Sequence, residues 1–172
     1  MDEPALQVCE FDRSVHDLSG FSSGVPALDS WIRAGMLQQV DKGRLHVWCM
    51  TRGASAVLGL YGLALHVVEC DAATGIEHRQ RAPIPAITLS LLSTDVAVRG
   101  QGLGSALMAD AVARVHRLSA GIGAAALVLD VWPNATAENH AAWYARLGFR
   151  PIEPGGRSQR LWLSMTDIGA AL

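Results

Sequence analysis

Val98–Leu107 reads VRGQGLGSAL, with Gly100, Gly102 and Gly104 at alternate positions, Arg99 ahead of them and an apolar run behind. Glycines give a backbone room to turn and to approach a ligand closely. The unpaired N–H groups and dipole of a helix start suit an anion. Upstream, Ile84–Val98 is rich in Ile, Leu and Val and reads as a central strand ending at the glycines. Downstream, Leu103, Ala106, Leu107, Ala111, Val115 and Leu118 recur with a helical period, and Asp110, Arg114 and Arg117 fall on the other side. The unit is therefore strand, glycine loop, helix. A Walker loop requires Gly-Lys-Ser/Thr, yet Gly104 is followed by Ser105 with no Lys. A dinucleotide fingerprint requires GxGxxG in an early βαβ unit, and the sixth position here is Ser105.

Working outward, Ala5–Phe11 is strand-like. Pro26–Gln39 carries Leu28, Trp31, Ile32 and Met36 at helical spacing, with Ser22 and Ser23 as candidate caps. Arg44–Thr51 and Ala56–Val68 predict two strands joined at Arg52–Ser55, hence a hairpin. After the loop and helix come a short strand at Ala124–Val131, a helix at Ala135–Leu147 stopped by Gly148, and an alternating strand at Gln159–Met165. Asp71–Pro85 and Trp132–Glu138 read as loops inside a domain. The class is mixed α/β, in a single domain over residues 1–172.

Composition narrows the function classes. At 172 residues, 50 % hydrophobic and 17 % charged, the chain suits one globular core. No stretch approaches the roughly 20 apolar residues of a membrane helix, and MDEPALQVCE is not a secretory leader, so no membrane role and a cytoplasmic location are expected. Cys9, Cys49 and Cys70 are widely spaced without a CxxC pair, which predicts reduced thiols rather than a disulfide framework or a zinc site. The net charge is −2, but residues 98–172 hold seven Arg against five acidic residues, while residues 1–97 hold seven basic against eleven acidic.

The pattern R-x-x-G-x-G at Arg99, Gly102 and Gly104 resembles the pyrophosphate loop of the GCN5-related N-acetyltransferase (GNAT) superfamily. AAWYARLGF (Ala141–Phe149) resembles that family's late helix, in which Tyr-x-x-x-Gly-Phe recurs. The resemblance implies a mixed, mostly antiparallel central sheet with a splayed strand pair, flanked by helices. It implies acetyl-CoA as cosubstrate. Val96 and Val98 would then offer backbone groups to the acetyl and pantetheine portions, and Arg99, Gly100, Gln101, Gly102, Gly104 and Ser105 would surround the diphosphate. Tyr144 would protonate the departing CoA thiolate. The family often places Asn seven residues before this Tyr; Ala137 stands there, and Asn139, two residues on, is the nearest candidate for a pantetheine contact.

FSSGVPALDSWIRAG (Phe21–Gly35) is similar to the opening of acetyltransferase toxins from bacterial toxin–antitoxin pairs, with VLGLYGLAL, PIPAITLS and RLWLSM following in the order of that subfamily. This implies the α-amine of an aminoacyl-tRNA as acceptor, a ribbon–helix–helix antitoxin as partner, and a homodimer. A small-molecule or protein amine acetyltransferase of the same fold is the alternative, and a non-catalytic binding module a third reading. Candidate bases are Glu69, Asp95, His66 and His140. No activating partner can be assigned to Cys70 as a nucleophile. Arg146, Arg150, Arg157 and Arg160 are candidates for a phosphate-contacting rim.

Overall fold

The computed structural model describes residues 5–53, 55–69, 82–132, 137–153 and 159–172. The chain groups into two compact units, Met1–Ala64 with Ser90–Val112, and Leu65–Leu89 with Ala113–Leu172.

In the first unit, β1 (Leu6–Glu10) leads to helix α1 (Pro26–Trp31), a π-helical turn at Ile32–Met36 and helix α2 (Leu37–Asp41). β2 (His46–Arg52) and β3 (Val57–Val68) follow. β1 runs antiparallel to β2 with Leu6 opposite Arg52 and Glu10 opposite Trp48. β2 and β3 make the expected hairpin, His46 opposite Leu63, with an irregularity at Met50/Thr51. The helix expected over Pro26–Gln39 is present but split by the π-helical turn, which still delivers Ile32 and Met36 to the interior, 1 % and 0 % exposed. They pack with Phe11, Phe21, Leu45, Val47, Val57, Leu60 and Leu91 into one apolar cluster. Ser22 and Ser23 do not cap this helix, because Val25 occupies the N-cap position.

β4 (Ile84–Thr94) stops short of the strand end expected at Val98; a 3-10 turn, Val96–Val98, replaces its last residues. The change has a local cause: the Asp95 carboxylate accepts the Ala97 N–H and turns the chain out of the extended form. Helix α3 (Leu103–Ile122) then starts behind the glycines.

The second unit holds β5 (Ala126–Asp130), α4 (Ala137–Arg146), β6 (Arg150–Pro151), β7 (Arg160–Ser164) and α5 (Met165–Ala171). β6 and α5 are too short to announce themselves by periodicity. β4 and β5 pair in parallel from Ala86 opposite Ala126 to Leu89 opposite Leu129, and the ladder stops there although β4 continues to Thr94. β5 and β6 both pair antiparallel with β7. Strand order is β1-β2-β3-β4-β5-β7-β6, a mixed and mostly antiparallel sheet, as expected. Val68, Ile84, Ala86, Ala126, Val128 and Ile152 form an apolar cluster in this unit. Most of the two long loops, Asp71–Pro85 and Trp132–Glu138, lies outside the described residues.

Candidate active site

The glycine loop is held from one side by the segment before α1. The Val96 N–H donates to the Ser22 carbonyl at 2.9 Å, and the Ser22 N–H donates to the Asp95 carboxylate at 2.9 Å. The Arg99 guanidinium donates to the Ser23 carbonyl. Beneath these, the buried Asp29 carboxylate accepts the Ser23 N–H at 2.7 Å, the Ser22 hydroxyl at 3.0 Å and the Ser23 hydroxyl. Burial by itself would raise the Asp29 carboxyl, but the bonds from Ser23 and Ser22, helped by the Arg33 charge, outweigh it and hold it below the ordinary carboxylate range. One carboxylate thus fixes two serines whose backbone anchors Val96 and Arg99. Nothing in the sequence spacing linked Asp29 to Arg99; the only signal was that Phe21–Gly35 looked like a motif.

Gly100 and Gly102 have φ of +77° and +79°, a conformation that costs other L residues roughly 1–2 kcal/mol. A Cβ on either would meet nothing within 4 Å, so it is backbone conformation and not crowding that demands glycine there. The Ala106 N–H is the first to close onto the helix, donating to the Gly102 carbonyl at 3.1 Å. The N–H groups of Leu103, Gly104 and Ser105 precede it and have no carbonyl one turn back, which makes this end of a 20-residue helix suited to an anion. Gln101 and Ser105 are exposed on the same loop. Of the backbone groups expected from Val96 and Val98, the N–H groups are already used, Val96 on Ser22 and Val98 on the Asp95 carbonyl at 3.2 Å. The Val96 carbonyl accepts the Arg99 N–H at 3.4 Å, which leaves one of its lone pairs, and the Val98 carbonyl, for a ligand.

In the second unit, Tyr144 lies on α4 with its ring edge-on to Trp143 at 4.9 Å and to buried Phe149 at 5.6 Å. The helix ends as the sequence predicted: the Phe149 N–H returns to the Tyr144 carbonyl at 3.1 Å across Gly148, whose φ is +93°. Burial pushes the Tyr144 hydroxyl up to about 12, so it is a neutral donor at any physiological pH. Asn139 and His140 are exposed on the same helix.

The other polar candidates divide clearly. Asp95 is committed to the Ser22 and Ala97 amides as a structural cap. Burial lowers His66, the Arg160 charge lowers it further, and Asp130 opposes them. Glu69 is exposed. Cys70 and Arg157 lie outside the described residues. Of the expected Arg rim, Arg160 binds Asp130 through two nitrogens at 2.8 Å each, and Arg150 binds Asp167 at 2.6 Å while lying 5.2 Å over the Trp162 ring. Arg146 is exposed.

Residues 46–151 match the model of the acetyltransferase (GNAT) domain. The chain belongs to the GNAT acetyltransferase family. It is 32 % identical over 159 residues to a tRNA-acetylating toxin of Mycobacterium tuberculosis, covering 91 % of this chain and 90 % of the relative. Among solved structures, AtaT complexed with acetyl-methionyl-tRNAfMet is 26 % identical with a TM-score of 0.83, covering 97 % of this chain and 99 % of that one. A variant of AtaT bound to acetyl-CoA and the C-terminus of the antitoxin AtaR shares the fold at 24 % identity and a TM-score of 0.78, covering 96 % and 97 %.

Proposed function

We propose that the chain is an acetyl-CoA-dependent N-acetyltransferase that acetylates the α-amine of an aminoacyl-tRNA. The observation that carries this reading is the near full-length likeness to the tRNA-acetylating toxin. In this reading the whole chain, residues 1–172, works as one acetyltransferase domain, in the cytoplasm, as a homodimer restrained by a ribbon–helix–helix antitoxin. The antitoxin-bound AtaT variant supports a partner of that kind.

The loop amides from Gly100 to Ser105 take the diphosphate, with Arg99 anchoring the loop to Ser23. The Val96 and Val98 carbonyls accept from the amides of the pantetheine arm, and Asn139 adds a side-chain contact. The neutral acceptor amine attacks the thioester carbonyl carbon, a C–N bond forms, and the C–S bond breaks to release the CoA thiolate. Tyr144 protonates that sulfur. Against a thiol of ordinary acidity, near 8.5, a phenol at about 12 is an uphill donor by roughly 5 kcal/mol. The burial that raises the phenol also raises the basicity of a thiolate leaving beside it, which narrows the gap.

An amine acceptor that is not a nucleic acid is the second reading. It is supported by the net charge of −2 and by the ion pairs that already engage Arg150 and Arg160. Incubation with labelled acetyl-CoA, charged tRNA, polyamines and amino acids separates the two: label on charged tRNA, with an affinity that falls steeply with salt, is expected. Robust turnover on small amines with none on charged tRNA at low salt would remove the tRNA reading and keep the acetyltransferase. Tyr144→Phe is expected to keep acetyl-CoA affinity and to lose about 10²-fold or more in turnover.

A further inference from the structure

The three cysteines, unpaired by sequence spacing, are not all solitary. Cys9 on β1 lies directly opposite Cys49 on β2, with the two sulfurs 4.0 Å apart. The Phe11 N–H donates to the Val47 carbonyl two residues along the same ladder, which makes Cys9 and Cys49 a hydrogen-bonded antiparallel pair. Such pairs have Cα atoms about 5.5 Å apart, inside the 4.4–6.8 Å range that a disulfide spans. Closing the bond requires side-chain rotation that brings the sulfurs together by roughly 2 Å, with a local approach of β1 and β2 that draws the two β-carbons in from about 5.5 Å to about 4.5 Å.

His16 completes the group. Its Nε2 lies 3.5 Å from the Cys9 sulfur, and its ring stacks on Phe11 at 5.7 Å. The Asp12 backbone N–H points at His16 Nδ1 at 2.8 Å. An amide N–H only donates, so Nδ1 is the accepting nitrogen and the ring proton sits on Nε2, directed at Cys9. This decides between two chemistries. The ligand atoms of Cys9, His16 and Cys49 all lie within 4.8 Å of one another, close enough to suggest a metal. A metal would need the Nε2 lone pair, and that nitrogen carries the proton. What the arrangement supplies is a donor to a sulfur anion at Cys9, the half-buried thiol, beside a second thiol at Cys49, 0 % exposed.

We propose that Cys9 and Cys49 are a redox pair in which Cys9 reacts with a peroxide and Cys49 resolves it as a disulfide across β1 and β2. The Cys9 thiol releases its proton to solvent, the thiolate attacks one peroxide oxygen and the O–O bond breaks; the leaving hydroxide (or alkoxide) takes a proton back from solvent, so that sulfenic acid and water (or an alcohol) form. The Cys49 thiol then attacks the sulfenic sulfur, the S–O bond breaks and a second water leaves. Two thiols are oxidised by two electrons and one peroxide is reduced. His16, through Nε2–H, stabilises the Cys9 anion and orients it.

The test is peroxide treatment of the purified Cys70→Ser protein, followed by alkylation, intact mass and peptide mapping. Expected are a loss of about 2 Da, one linked peptide pair holding Cys9 and Cys49, and full reversal by dithiothreitol. Cys49→Ala, or Cys49→Val to keep more of the buried volume, should leave Cys9 as a sulfenic acid that dimedone captures. Cys9→Ala should leave Cys49 unreacted, and His16→Ala should slow oxidation of Cys9 several-fold. Full alkylation of both cysteines after peroxide would overturn the proposal. So would one bound equivalent of zinc that shields both thiols from alkylation, which would make the cluster a metal site instead.

Discussion

Removing the Asp29 carboxylate is the sharpest test of how the loop is held. In Asp29→Ala the Ser23 N–H, in a residue 3 % exposed, loses its acceptor. The two serine hydroxyls can rotate toward other partners; the Ser23 hydroxyl already lies 3.3 Å from the Val25 carbonyl. The dominant cost is therefore one buried amide left unpaired plus the loss of charge-assisted bonds, about 2–3 kcal/mol. For a chain of this size that corresponds to a fall in Tm of roughly 5–10 °C. Acetyl-CoA affinity should fall too, because the Ser22 and Ser23 backbone holds Val96 and Arg99. The pH dependence follows from the direction of the shift. With the folded carboxyl held below its unfolded value near 3.9, its contribution is fully present above that value and is lost as pH falls through the folded one. The stability gap between wild type and Asp29→Asn should thus be constant from pH 5 to 8 and shrink below about pH 4. Denaturant melts across pH, with calorimetric titration of acetyl-CoA, measure both quantities. A stability within about 0.5 kcal/mol of wild type for Asp29→Ala would refute the reasoning.

Gly102→Glu puts a side chain at φ +79° and a negative charge beside the helix start. It should cost about 1–2 kcal/mol in stability but abolish acetyl-CoA binding, as read by calorimetry. Gly59→Ala places a Cβ 2.6 Å from the buried Leu107 side chain and 3.1 Å from the Ser93 carbonyl, so a destabilisation of about 1–3 kcal/mol should appear in denaturant melts. Because burial holds the Tyr144 hydroxyl up to about 12, the turnover profile should show no limb from its ionisation below pH 10, and Tyr144→Phe should lower the rate without changing the profile's shape.

The sequence by itself determined the local elements and two of their chemical features. Periodicity in Leu103–Leu118 and the apolar run Ile84–Val98 gave the strand, loop and helix around the glycines, though the strand itself ends at Thr94, because helical and extended backbones impose their own spacing on apolar residues. Gly148 stopped α4 where expected, since a helix end needs a left-handed residue that the chain itself supplies. The anion-suited helix start was equally legible, being a property of backbone amides. What only the tertiary structure decided are pairings between distant residues. Asp29 beneath Ser23, Arg99 against Ser23, Asp130 against Arg160 and Cys9 opposite Cys49 are contacts between residues 6, 76, 30 and 40 positions apart. A side chain's hydrogen-bonding capacity is written in its type, but its partner is set by which strands and turns meet. That is why Asp95, a plausible base in sequence, is a cap in the fold, and why two cysteines without a spacing motif share one ladder position.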